Sequence, residues 1–366
     1  MKTISSRQFY ALIFFVTVVG KFLYLPSILT AYSGSSAYFV VLFFVLIDAV
    51  FLMGVLYFIK NSQHSFFTNL KESVQKPLHK ILLFLYTLYF FFKTLLLIVE
   101  SSELFQVSFY SSFKHYEFFI LLAFLILYAF SVSSRTLLRC LEFLKPFFII
   151  GLLFVLLVGV MNANVLYSLP ILENGLSKVL ETASKSVIWF GDFLILFLFL
   201  NKVEVKKHFY KQSLIHFFTA SLIVIIFVFC FYSTFNVISP QKTLAMCNLL
   251  QNMSGTSVFS KLDWLFVSFW SLGLLFNIIL FSYATFAFFK KLFPKLQIKL
   301  SAIILVALLF LVLLYNNFQV SSFYPFIKNA SYFILVLQYI IPILLFMLFY
   351  KSKTGGNYAK NKVEKQ

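Results

Sequence analysis

Continuous apolar stretches of about 20 residues, each long enough to cross a hydrocarbon layer about 30 Å thick, recur along this 366-residue chain. They leave no room for a separate water-soluble domain. The stretches are apolar throughout rather than alternating, and a backbone in lipid must pair within itself, so they read as helices rather than barrel strands. Ten are marked, at residues 9–30, 37–59, 81–105, 118–132, 146–163, 187–200, 214–235, 262–289, 300–315 and 331–350. The fourth and sixth are short and are expected to extend into polar flanks or to tilt little. Composition agrees, with 61% hydrophobic and only 11% charged residues, against roughly a quarter charged in soluble domains.

The net charge of +18 raises the question of nucleic acid, but 22 of the 30 Lys and Arg residues fall in one alternate set of connections and the termini. Six lie in the other set, and Lys21 and Lys93 lie inside spans. Such asymmetry sets orientation, so both termini are expected to be cytoplasmic. The basic face reads as topogenic charge resting against anionic lipid, not as a nucleic-acid surface. The first span has no small-residue cleavage site after it and reads as a retained helix.

Cys140, Cys230 and Cys247 are isolated, without a CxxC pair or a histidine at ligand spacing, which argues against a metal centre, a cofactor or a disulfide framework. His64, His79, His115, His208 and His216 do not cluster, and no nucleophile and base set stands out, so an enzyme is not expected.

Residues 1–350 are read as one transmembrane domain, followed by a basic, solvated tail at 351–366. Ten spans divide into two sets of five, at 9–163 and 187–350, and an odd number forces the second set to run in the opposite sense. That parity is what a five-plus-five inverted repeat requires, although no clear sequence identity relates the halves. The longer connections are 60–80, 162–186 and 236–261. In the second, Leu176, Val179, Leu180 and Ala183 put an apolar stripe on a short helix that lies on the membrane or caps a cavity. The third, with Leu244, Ala245, Leu249 and Leu250 after a proline turn, reads equally as a lid or a surface helix.

The run from Phe9 to Tyr32 holds a single charge, Lys21, in the stretch VVGKFLYLP. Gly20 loosens the helix there, and Pro26 lacks the N–H that would bond the carbonyl of Phe22, so a break at residues 20–22 is expected. Unwound backbone at this depth is tolerated when it is buried in protein or faces a polar cavity, as in the midplane sites of transporters. Lys21 is too deep to snorkel out. It is read as lining a cavity, where it holds a ligand carboxylate or stands in for a coupling cation; the alternative is a structural kink with a neutralised lysine.

The sixth span carries Trp189-Phe190-Gly191-Asp192, again a glycine beside an ionisable group. Asp192 is the expected partner of Lys21, because an unpaired charge at this depth costs about 2.5–3.5 kcal/mol or more. Asp48 and Lys93, central in the second and third spans, are expected to pair with each other as structural glue. Glu100 and Glu103 stand one turn apart toward the outer end of the third span, as an acidic entrance for an ammonium group or simply an exposed helix end. Asn277 is a candidate polar ligand contact. The candidate ligand set is therefore Gly20, Lys21, Phe22, Gly191, Asp192, Glu100 and Asn277.

The opening ISSRQFYALIFFVTVVGKFLYLP, together with the later block NANVLYSLPILENGLSKVLETASKSVIWFGDFLILFLFL, resembles the spore germination receptor B-subunit family, whose members are similar to amino-acid permeases. The resemblance implies the five-plus-five fold of the amino acid-polyamine-organocation superfamily, with a nutrient site between breaks in helices one and six. It also implies partner A and C subunits in the inner membrane of a bacterial spore, and nutrient sensing rather than bulk uptake. Gly20 matches the first break, and Gly191 with Asp192 the second. Lys21 and Phe22 stand where the family usually has small residues, so a conventional amino-acid pocket in helix one is not implied. The alternative is a proton- or sodium-coupled amino-acid permease.

Overall fold

A serine-capped helix, α1 (Ser6–Val18), opens the chain: the Ser5 hydroxyl accepts the Gln8 amide at 3.3 Å and the Gln8 side chain accepts the Ser5 amide at 3.1 Å. The computed structural model describes residues 4–61, 64–108, 112, 114–170, 172–252, 263–315 and 320–349. The basic tail expected at 351–366 lies outside the described residues.

After α1 come α2 (Leu25–Ser33), α3 (Ala37–Asn61), α4 (Phe66–Ser73), α5 (Lys76–Ser108), α6 (His115–Ser131) and α7 (Ser134–Asn162). The chain continues with α8 (Gly175–Ser186), α9 (Phe209–Phe235), α10 (Ala245–Gln251), α11 (Asp263–Leu292), α12 (Ile298–Tyr315), α13 (Val320–Asn329) and α14 (Ser331–Leu335). Beyond α14 a π-helical turn, Val336–Ile340, runs on to complete a helix over Ser331–Phe349.

Six of these stretches are long and apolar enough to cross a membrane, and a bent pair, Gly175–Trp189 with Asp192–Phe199, makes a seventh. His115–Ser131 and Ile298–Leu314 are shorter apolar helices. The first apolar run is interrupted between α1 and α2. This is an all-helical membrane protein. Within it, α5 and Val267–Leu292 are the most enclosed spans, with 67% and 72% of their apolar windows buried, whereas α7 at 33% lies at the periphery.

The short sixth run has a specific explanation. Its N-terminal half is α8 itself, which continues through a 3-10 turn, Val187–Trp189, to the bend at Gly191. The apolar stripe expected on α8 is divided: Val179 and Ala183 are buried, but Leu176 and Leu180 are 66% and 53% exposed. Burial instead follows Val179, Thr182, Ala183 and Ser186, because α8 packs inward against α2 and α3 rather than lying flat.

At the basic end, the Ile4 amide donates to the Lys202 carbonyl at 3.1 Å and the Glu204 amide to the Ile4 carbonyl at 2.9 Å. The residues before α1 are thus tied to those after the 192–199 segment.

Candidate functional site

The helix stops at Val18, tightens into a 3-10 turn over Val19–Lys21, and restarts as α2 at Leu25 with Pro26 in its first turn. A Cβ on Gly20 would make only ordinary contact with Leu97, at 3.7 Å, so packing space does not require a glycine there. The missing donor at Pro26 accounts for the interruption better. The two stranded carbonyls are filled from outside the helix: the Met246 amide donates to Phe22 at 3.1 Å and the Ala245 amide to Leu23 at 3.0 Å. The start of α10 is therefore docked on the first break, and the segment expected as a lid or a surface helix is buried at Ala245, Met246, Leu249 and Leu250.

The second break is built differently. Phe190 is extended, and Gly191 follows in the left-handed region at φ 67°. A Cβ there would come within 2.8 Å of the Gln338 side chain, so glycine is required on both counts. The carbonyls freed by the bend are taken by side chains. Gln338 Nε2 donates to the Phe190 carbonyl and to the Tyr89 hydroxyl, each at 2.9 Å, and Lys93 Nζ donates to the Ile188 carbonyl.

Asp192 stands between the two breaks with a lysine on each oxygen. Lys21 Nζ is 3.3 Å from Oδ2 and Lys93 Nζ is 2.8 Å from Oδ1, with all three side chains at or below 5% exposure. Lys93 meets Oδ1 as an ion pair and directs its hydrogen bond to Ile188. Lys21 also donates to the Val16 carbonyl at 3.4 Å and lies 5.5 Å from the centre of the Phe190 ring. That ring stacks on Phe44 at 4.0 Å, so an aromatic face walls Lys21, and the neighbouring Phe22 stacks on Phe227 at 3.9 Å.

Lys93 and Asp48 do not pair as expected. Lys93 turns to Asp192, while Asp48 Oδ1 accepts the Tyr339 hydroxyl at 2.7 Å. The reason is geometric: the bend at Gly191 carries both Asp192 and the open Ile188 carbonyl to Lys93, giving its ammonium two acceptors at once.

Glu100 and Glu103 do not form a shared acidic entrance. Glu100 is fully buried and accepts the Trp189 indole N–H at 2.8 Å, whereas Glu103 accepts the Val320 amide at 2.7 Å and fastens α5 to the start of α13. Asn277 is buried in α11. Glu100 Oε2, Asn277 Oδ1 and Gln338 Oε1 are buried acceptors without a hydrogen-bond partner among the described residues. Such groups are costly unless a donor reaches them.

Gln338 and Tyr339 complete the site without having been singled out from the sequence, and Trp189, named there only as part of its motif, joins it as the donor to Glu100. Gln338 left a signal, as a lone amide in the apolar run 331–349. The docking of α10 left none, because its donors are main-chain amides.

A family described as "Spore germination protein" has a sequence model that matches residues 3–321. The chain belongs to that family. No curated protein matches it. Membership together with the apolar helices makes the chain an integral membrane protein of spore germination, of germinant-receptor or permease-like type.

Proposed function

We propose that this chain is the nutrient-sensing membrane subunit of a spore germinant receptor, and that a small polar nutrient, an amino acid, binds between the two breaks. In this reading residues 1–350 form one domain of ten spans in a five-plus-five inverted repeat, with both termini cytoplasmic, in the spore inner membrane beside A and C subunits. The carrying observation is Asp192, which holds Lys21 from the first interruption and Lys93 beside the second.

Lys21 and Lys93 share one carboxylate at contact distance, which leaves their ammonium groups capacity to hold a ligand carboxylate, while the open oxygens of Glu100 and Asn277 accept from its ammonium group. Gly20, Phe22 and Gly191 contribute main chain and shape. A ligand that takes Lys21 from Asp192 loosens the link between the breaks, and it shifts the equilibrium by its differential affinity for the two arrangements. Signal then passes to the partner subunits.

Thermal-shift screening of the solubilised protein against amino acids, nucleosides and sugars tests ligand class, and spores carrying Lys21→Met test the site. The expected outcome is loss of nutrient-triggered germination at unchanged protein abundance. A normal response at normal dose removes Lys21 from the site.

The second reading, a proton- or sodium-coupled permease, draws on the same paired interruptions, since two facing breaks suit alternating access. Uptake of labelled amino acid into liposomes under an imposed gradient separates them: a sensor binds without accumulation.

A further inference from the structure

The end of the molecule opposite the basic face is poor in cations, yet three of its lysines gather at one place. Lys185 Nζ lies 4.0 Å and Lys328 Nζ 5.6 Å from the centre of the Tyr32 ring. Lys185, Lys328 and Tyr32 come from α8, α13 and α2, and the third lysine, Lys178, stands nearby on α8 through its shared partner Glu181. Glu181 pairs with Lys178 at 2.8 Å and with Lys185, so it offsets one charge of the three. Lys328 has no carboxylate within ion-pair distance among the described residues. The Lys185 side chain is only 16% exposed, whereas Lys178 is 53% exposed, so Lys185 is drawn in toward the ring rather than spread into solvent.

Below Tyr32 the polar groups continue inward. The Tyr324 hydroxyl is buried, interacts with Tyr32 across the cluster, and has no well-formed hydrogen bond among the described residues. The Tyr324 ring lies 6.1 Å from Trp189, and Trp189 donates to Glu100 at 2.8 Å. A column of aromatic rings with polar tips therefore connects the two lysines to the buried charges around Asp192.

Two ammonium groups drawn to one aromatic ring, with Glu181 as the carboxylate partner of only one of them, have capacity left for an anion, and the nearby Tyr324 hydroxyl supplies a further donor. We infer that Lys185, Lys328 and the Tyr324 hydroxyl form an anion subsite at this mouth that takes a carboxylate group. Only its use as a first stop for the nutrient rests on the functional reading above; the subsite itself is tested with a bare carboxylate.

The probe is trifluoroacetate, followed by fluorine NMR line broadening on the full chain in nanodiscs, with trifluoroethylammonium as the cationic counterpart. The expected result is saturable broadening of the carboxylate and none of the cation. In Lys185→Gln/Lys328→Gln binding weakens about tenfold or more. Lys185→Arg/Lys328→Arg keeps it, which separates lost charge from misfolding. Glu181→Gln strengthens it by releasing Lys185, a gain that damage does not mimic. All of these variants are compared in a Lys21→Met background, which removes carboxylate binding at the central site, so failure here and failure of the central site are told apart. Equal broadening by both probes, or broadening unaltered in the double glutamine variant, overturns the subsite.

Discussion

The backbone amide of Met246 donates at 3.1 Å to the carbonyl of Phe22, the acceptor that Pro26 leaves without its helical donor. One imino acid thus creates the vacancy, and a segment more than 200 residues later fills it. Pro26→Ala supplies a competing N–H within α2. Hydrogen exchange at the Ala245 and Met246 amides is then expected to quicken, while Met246→Ala, which keeps the main-chain donor, leaves their protection intact. Unchanged protection in Pro26→Ala would show that α10 docks independently of the interruption.

Asp192 faces two lysines, so the three positions are not equivalent. Removing either lysine leaves a neutral pair, whereas Asp192→Asn leaves two buried cations side by side. Asp192→Asn is expected to lower stability by about 3–5 kcal/mol, measured by thermal unfolding in detergent, and Lys21→Met or Lys93→Met by less. Adding Lys21→Met to Asp192→Asn should recover part of the loss. A strictly additive double variant would mean that the two groups do not interact.

The helices and the charges at their centres were legible in the sequence to different degrees. The second apolar run, 37–59, became α3 (Ala37–Asn61) almost unchanged, because lipid thickness and apolarity set its length. The interruption near Lys21 was readable from Pro26, whose chemistry is local. The partner of Lys93 was not: Asp48 and Asp192 look alike from the sequence, and the bend at Gly191 decides between them. The sixth span extends into its polar flank, as its shortness suggested, and that flank is α8, whose Lys178, Glu181 and Lys185 hide its continuity with Val187–Trp189 from a reading of apolar runs.

Gly191 carries two separable constraints, and a pair of variants resolves them. Its φ of 67° costs a residue with a side chain about 1–2 kcal/mol. A Cβ would also press on Gln338 at 2.8 Å, against the amide that holds the Phe190 carbonyl. Gly191→Ala is therefore expected to destabilise by more than the dihedral alone, through overpacking, and to displace Gln338 from Phe190 and Tyr89. In a Gln338→Ala background the clash disappears but the dihedral remains, so the same substitution should cost only about 1–2 kcal/mol there. Thermal unfolding of the four chains measures the difference. An equal cost in both backgrounds would mean that Gln338 yields without penalty and that backbone handedness alone fixes glycine at the bend. A smaller cost beside Gln338→Ala would instead locate the rigidity of the second break in that one amide, which ties the helix over Ser331–Phe349 to the Phe190 carbonyl and the Tyr89 hydroxyl.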